Sequence, residues 1–278
     1  MKRLDPCIKN CPDQELASLL HTAGSAALAA GKVISSLYDK PHTIKHKGAI
    51  DLVTEADIAS EETILAALAK TSPDIAVLAE ESHAYYTDPP AGPVWIIDPL
   101  DGTTNFAHGF PWFAVSIAYA SNNQMRAGVI YNPKADELFC ACQGAGAWMN
   151  GRPITVSETT TLSQSLLATG FPYDIHNRAG RVIETLEAVL SRVQGVRRAG
   201  AAALDLAYVA CGRLDGFWEI RLKPWDSAAG QLLVLEAGGM VTDFSGNRYS
   251  PYIPEILASN SRIHKQLQQI IAPFSEIA

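Results

Sequence analysis

The chain has 278 residues, 47% of them hydrophobic and 18% charged, with a formal net charge of −7. This composition supports a sizeable core in one large domain or two closely joined halves, and it excludes a disordered chain. An acidic surface is a poor match for non-specific binding to a polyanion, but it allows a cation-neutralised site for a small phosphate ester.

Over residues 14–38, Leu16, Leu19, Leu20, Ala23, Ala27, Val33, Ile34 and Leu37 recur at helical spacing, and Pro41 lies just past the stripe. The polar stretch 42–48 follows as an exposed, mobile loop carrying Lys47. A second helix is predicted from about Thr54, through Ile58, Ile64, Leu65 and Leu68, and ends before Pro73. The short apolar runs 75–79 and 94–97 read as buried strands, each delivering carboxylates at its end: Glu80 and Glu81 after the first, Asp98 after the second. Residues 113–120 and 125–131 flank Asn122-Asn123 as a hairpin, and 137–141 forms another strand. Beyond Gly144, Gly146 and Gly151 the pattern alternates. Strands are predicted at 166–169, 216–220, 240–244 and 255–258, and helices at 178–192, 201–211 and 225–237, with a last helix at the C-terminus. This organisation predicts an α+β half over residues 1–155 and an α/β half over 156–278, joined in one compact unit.

The five cysteines, Cys7, Cys11, Cys140, Cys142 and Cys211, are odd in number and form no small disulfide framework, so a reduced, cytoplasmic setting is expected. Cys7 and Cys11 resemble half a metal site with no second half, and Cys140 and Cys142 share one strand face as packing residues. Lys2 and Arg3 lead into Asp5 and Pro6 rather than an apolar segment, so no signal peptide is expected. No apolar run reaches transmembrane length, and no repeat or low-complexity tract is visible.

Chemistry concentrates in Asp98-Pro99-Leu100-Asp101-Gly102-Thr103-Thr104. Two carboxylates on either side of a Pro turn can converge on one hard cation, with the Leu100 carbonyl between them as a further oxygen donor. No His or Cys accompanies them, which suits Mg²⁺ rather than Zn²⁺. Gly102 permits close backbone approach, a helix starting at Thr103 would offer N–H groups to phosphate, and the Thr103 hydroxyl can touch a metal or a water. A turn with an Asx cap is the bland alternative for Asp-Gly-Thr alone. Elsewhere, Asp57 read alone is a solvated helix residue, Asp226 a helix cap, and Glu81 either a supporting or a surface acid.

The string 95–106, together with Asp51–Asp57, Ala79–Ser82 and Lys223–Gly230, resembles in order and spacing the motifs of the inositol monophosphatase family. Residues 167–173 and 203–210 are similar to its bacterial members, and the resemblance spans nearly the whole chain. It implies a layered αβαβα sandwich and a Mg²⁺-dependent phosphomonoesterase that holds two to three ions and is sensitive to Li⁺. By position it implies Glu80, Asp98, the Leu100 carbonyl and Thr103 around a first ion, and Asp98, Asp101 and Asp226 around a second. A third ion would be held mainly by waters near Glu80. Asp57 is implied to hydrogen-bond Thr103 and help activate water; Asp101, Gly102, Thr103, Ala202 and Glu219 are implied to contact substrate; and Lys47 is implied on the closing loop. Ala201 stands where relatives often carry Ser or Thr, so a side-chain hydroxyl contact is lost there. Thr104 favours the inositol phosphatase branch over nucleotide phosphatases, which tend to carry Lys, while His108 and His176 read as surface or structural residues.

The expected partner is a small phosphate ester, foremost myo-inositol monophosphate. Fructose bisphosphatase or nucleotide phosphatase activity is the runner-up, and a homodimer follows from the resemblance. Some bacterial relatives act as accessory factors in RNA processing and transcription; here Arg192, Arg197 and Arg198 make only a modest basic cluster, read as a solvated surface or subunit contact.

Overall fold

The computed structural model describes residues 2–46, 52–82, 92–177 and 179–277, so Lys47 and its loop lie outside the described residues. The first helices are α1 (Asp5–Asn10), α2 (Gln14–Leu37) and α3 (Glu55–Thr71), with the short strands β1 (Lys45–His46) and β2 (Leu52–Val53) paired antiparallel between the last two. A seven-stranded sheet follows in the order β3 (Ala76–Ala79), β4 (Val94–Asp101), β5 (Ala114–Ser121), β6 (Gln124–Asn132), β7 (Glu137–Cys142), β8 (Ala147–Met149) and β9 (Arg152–Ile154), interrupted by the one-turn helix α4 (Thr103–Ala107). Only the β3–β4 pair is parallel; the rest is an antiparallel meander.

A second sheet of five strands has the order β11 (Gly195–Arg197), β10 (Leu166–Thr169), β12 (Gly216–Ile220), β14 (Glu255–Ser259) and β13 (Met240–Thr242). Its helices are α5 (Ala179–Leu190), α6 (Ala202–Ala210), α7 (Pro224–Glu236) and α8 (His264–Ile271). Its first three strands pair in parallel and β14 runs antiparallel to both of its neighbours.

The layers follow from strand alternation. Trp95, Ile97, Ile117, Val129 and Cys140 project from one face of the first sheet into a core with α1, α2 and α3. Ile96, Ala118, Ile130 and Phe139 project from the other face against α6 and α7. Strands covered on both sides read as continuous apolar runs, which is why 94–97 and 114–120 lack a polar alternation. Helices α6 and α7 also cover the inner face of the second sheet, while α5 and α8 pack on its outer face around Val189, Trp218, Leu257 and Leu267. The result is the expected αβαβα sandwich. The middle layer is held close by small residues. A Cβ at Gly128 of β6 would stand 3.1 Å from the Ala229 carbonyl of α7, so the helix crosses the sheet there on bare backbone.

Several elements differ from the sequence expectation. Strand β4 does not stop at Ile97 but runs to Asp101, helix α1 forms ahead of the expected first helix, and the three-residue strands β8, β9 and β11 are additional. The hairpin turns on Asn122 and Asn123, both with positive φ (53° and 56°), as a two-residue connection requires.

Candidate active site

The acids of the central string lie inside a strand. Pairing of β4 with β5 moves from Asp98↔Ser116 to Asp101↔Ala114, so three steps on β4 oppose two on β5. That bulge falls at Pro99, which has no N–H to give to the ladder. Asp98 Oδ1 accepts the Leu100 N–H at 3.0 Å, and Asp101 Oδ2 accepts the Ala203 N–H of α6 at 2.8 Å. The chain then turns at Gly102 (φ 92°, ψ 35°), where a Cβ would meet the Trp112 carbonyl at 2.9 Å. Glycine is therefore required by both conformation and space. Helix α4 begins at Thr103 but makes only about one turn, so its dipole adds little to a phosphate site.

Asp57 is buried rather than solvated, and it joins two elements. Its Oδ2 accepts from the Thr54 N–H (2.8 Å) and hydroxyl (2.6 Å), closing the capping box of α3. Its Oδ1 accepts the Thr103 hydroxyl at 2.7 Å, with the Leu100 carbonyl 3.0 Å from the same hydroxyl. Glu80 leaves β3 half-buried, held beside β4 by its N–H to the Ile97 carbonyl at 3.1 Å. Glu81 turns the other way, its N–H donating to Glu61 Oε2 at 2.9 Å. Asp226 is the third residue of α7, not its cap, and accepts the Lys223 N–H at 2.6 Å.

These acids share one field. Burial raises the Asp98 carboxyl well above the usual range, and Glu80, Asp101 and Asp226 raise it further; the Leu100 N–H works in the opposite direction. Asp101 is raised by burial and then by Asp226, with smaller contributions from Asp205 and Glu80, against the Ala203 N–H. The largest influences on either carboxyl include no positive side chain. Such a set costs free energy when ionised and suits a bound divalent cation, with oxygen donors only. Among the described residues no three acids, histidines or cysteines close to single-centre spacing. The acids interact as a chain of charges, since a field reaches beyond ligand distance.

A cleft of about 240 Å³ opens beside them. Asp101, Gly102, Thr103, Ala202, Glu219 and Asp226 are among the residues that line it. Asp98, Glu80 and Asp57 are not among the lining residues. Glu219, on β12, lies directly on the bare backbone of Gly170. Burial raises its carboxyl, Asp226 and Asp101 raise it further, and Arg198 opposes them. Ala201 precedes α6 without a side-chain cap bond, as its missing hydroxyl implies. His108 and His176 are exposed and do not line the cleft.

Two lining residues carried no role in the sequence reading. Arg198 leaves the basic cluster and enters the cleft, its guanidinium 4.9 Å from the Phe171 ring centroid, while Arg192 bonds back to the Ala188 carbonyl. Asp205 is 1% exposed, and its Oδ1 has no hydrogen-bond partner. Its signal was an acid within the apolar run Ala203-Leu204-Asp205-Leu206-Ala207, where a solvated role is improbable.

A layered α/β sandwich that gathers buried carboxylates at a cleft defines a hydrolytic, divalent-metal class of enzyme. The model of the inositol monophosphatase family matches residues 15–277, and the chain belongs to that family and is a phosphatase. It is 46% identical to an inositol-1-monophosphatase of Synechocystis, over 93% of this chain and 90% of that protein. It is 43% identical to the Nus factor SuhB of Pseudomonas aeruginosa, over 92% of this chain and 96% of that protein. The solved structure of an inositol monophosphatase from Anabaena superposes with a TM-score of 0.84 at 42% identity, covering 95% of this chain and 98% of that one. No helix among the described residues is long and apolar enough to cross a membrane.

Proposed function

We propose that this phosphatase hydrolyses myo-inositol monophosphate, using Mg²⁺ held by Glu80, Asp98, the Leu100 carbonyl, Asp101 and Asp226. The observation that carries the reading is the pair of buried carboxyls, Asp98 and Asp101, which repel each other and the neighbouring Glu80 and Asp226. Bound Mg²⁺ would supply positive charge for the phosphoryl group and leaving oxygen and would acidify water. Asp57 fixes the Thr103 hydroxyl and gives it a proton acceptor, so that Thr103 can orient an attacking water. The backbone of Gly102 and Thr103 takes phosphate oxygens beside Asp101. Glu219, which also lines the cleft, accepts from ring hydroxyls, and the Ala202 backbone offers a further contact to substrate. Phosphate release from inositol monophosphate, with and without Mg²⁺ and Li⁺ and alongside fructose bisphosphate and nucleotides, tests this reading. Absence of Mg²⁺-dependent release from inositol monophosphate would sink it.

A second reading, a partner role in transcription, draws on the relatives named Nus factor SuhB. Arg192, Arg197 and Arg198 are all exposed for such a partner, and Arg198 also lines the cleft. Capture of transcription factors by a catalytically dead Asp98→Asn chain would support it, and their absence would remove it.

A further inference from the structure

The link from Glu219 on β12 to Asp226 in α7 runs through Ile220, Arg221, Leu222 and Lys223, and all four line the cleft. Arg221 turns this link with a left-handed backbone, φ 64°. A Cβ crowds the backbone in that region, so an L-residue adopts it at a cost that glycine escapes. Among the described residues, the other non-glycine positions with positive φ hold Asn, Asp or Ser, and none of them lines this cleft. Arg221 is therefore a long cation kept where its backbone is disfavoured, and its side chain has to return something locally.

That side chain joins two segments distant in sequence. Its Nε donates to Glu276 Oε2 at 3.1 Å, and its Nη1 lies 3.7 Å from Asp174 Oδ2. Asp174 belongs to the loop after β10, whose residues Phe171, Pro172, Tyr173 and Ile175 line the same cleft. Glu276 is anchored in turn. Its N–H donates to Oε2 of the buried Glu255 of β14 at 2.8 Å, and the Ser275 hydroxyl donates to Oε1 of that carboxylate at 2.7 Å. Arg181 of α5 donates to the Phe274 carbonyl at 3.2 Å and to the Ser275 carbonyl at 2.5 Å. The main chain of Arg221 is fixed as well, through its N–H to the Pro254 carbonyl just ahead of β14. Residues 274–276 thus form an anchored post, and Arg221 ties both the 171–175 loop and the 220–223 link to it. Its ion pairs are partly exposed, and such pairs add little to global stability. Their effect is local, on two segments that shape the cleft.

We propose that Arg221 is a positioning residue for substrate, clamped by Glu276 of the C-terminal segment and by Asp174, and that it sets how tightly the cleft holds the alcohol part of a phosphate ester. Glu219 adjoins the clamped link, and the connection to ring hydroxyls rests on the reading of Glu219 given above. The metal and phosphate groups of the 98–103 string lie on another element, and Asp226 is held separately by the Lys223 N–H in the first turn of α7. Loosening the clamp therefore weakens substrate binding more than it slows turnover.

The test measures kcat and KM on inositol monophosphate and on nitrophenyl phosphate, which lacks polyol hydroxyls, together with Tm. Arg221→Gly relieves the backbone and removes the clamp. Its KM for inositol monophosphate should rise roughly fivefold or more, with kcat moving less than about twofold and Tm falling by no more than about 2 °C. Glu276→Gln, outside the cleft lining, should raise the same KM roughly threefold, and Arg221→Lys should fall between Arg221→Gly and the wild type. The double variant Arg221→Gly with Glu276→Gln should be no worse than Arg221→Gly alone, because both remove one clamp. KM for nitrophenyl phosphate should stay within about twofold throughout. If the wild type hydrolyses fructose bisphosphate or a nucleotide instead of inositol monophosphate, the substrate reading fails, and the same comparison on that ester still decides the clamp. An unchanged KM in Arg221→Gly and Glu276→Gln, an equal rise on both esters, or additive effects in the double variant would each overturn the proposal.

Discussion

Thr103 donates its hydroxyl to Asp57 across 2.7 Å, joining the turn after β4 to the first turn of α3, forty-six positions earlier in the chain. The same carboxylate closes the α3 cap through Thr54, so stability and chemistry draw on one side chain. Thr103→Val takes the Thr103 donor away from the buried Asp57 Oδ1. It should cost about 1–3 kcal/mol of stability and lower kcat by roughly 100-fold or more, whereas Thr103→Ser restores the hydroxyl and most of both. Denaturant unfolding and steady-state kinetics on the three proteins check this. Equal kcat in the Val variant would remove Thr103 from the chemistry.

Asp98 predicts an opposition between stability and activity. Its folded-state pKa is raised, so the fold binds its proton more readily than the unfolded chain does. In chelator, stability from this group is full below the unfolded pKa and is lost as pH rises through the folded one. Asp98→Asn removes the ionisation cost and keeps an oxygen for the Leu100 N–H. In chelator near neutral pH its Tm should equal or exceed that of the wild type. Adding Mg²⁺ should raise Tm in the wild type and much less in the variant, whose turnover should be lost. Thermal melts across pH with and without Mg²⁺ decide; a variant that melts lower in chelator contradicts the argument.

The buried acid of α6 makes a separate prediction. Asp205 is repelled by Glu219, attracted by Arg198 and unpartnered at Oδ1. Asp205→Asn should raise Tm by removing a buried charge, yet raise KM for inositol monophosphate by roughly 5- to 20-fold through the altered Glu219 and Arg198 surroundings. Kinetics on nitrophenyl phosphate, whose leaving group has no polyol hydroxyls, should be nearly unchanged. A parallel loss on both substrates would make Asp205 purely structural.

The candidate acids stood out because they sit in short, ordered strings, and the long helices and hairpin were legible because their periods persist for many residues. Geometry was not. No local pattern says that β4 continues through Pro99, since the bulge depends on register with β5. Nor does any say that the Ala203 N–H reaches Asp101 from α6, 102 positions away. Strands of three residues, such as β8 and β9, carry too little alternation to stand out. Asp57 and Asp205 look like any helical acid until neighbouring layers bury them.

His264 sets the acid limit of the second sheet. The Thr242 hydroxyl donates to the Asp243 carbonyl at 2.7 Å, so toward the imidazole it can only accept, and Nε2 carries the proton across the 2.9 Å contact. Nδ1 is then the acceptor, taking the Ser259 hydroxyl at 2.9 Å. A second proton on Nδ1 would make the Ser259 hydroxyl the acceptor and place a charge inside a buried site, and burial lowers the pKa from the usual 6.5 to about 4. The folded pKa lies below the unfolded one, so the unfolded chain binds the proton first. Stability from this group is full above the unfolded pKa, falls as pH drops toward the folded one, and is level below it. The loss amounts to at most about 3 kcal/mol. Denaturant melts at a series of pH values should show this decline in the wild type and a flatter profile in His264→Gln, whose side chain does not titrate. An imidazole NMR titration with its midpoint near 6.5 in the folded chain would refute the assignment.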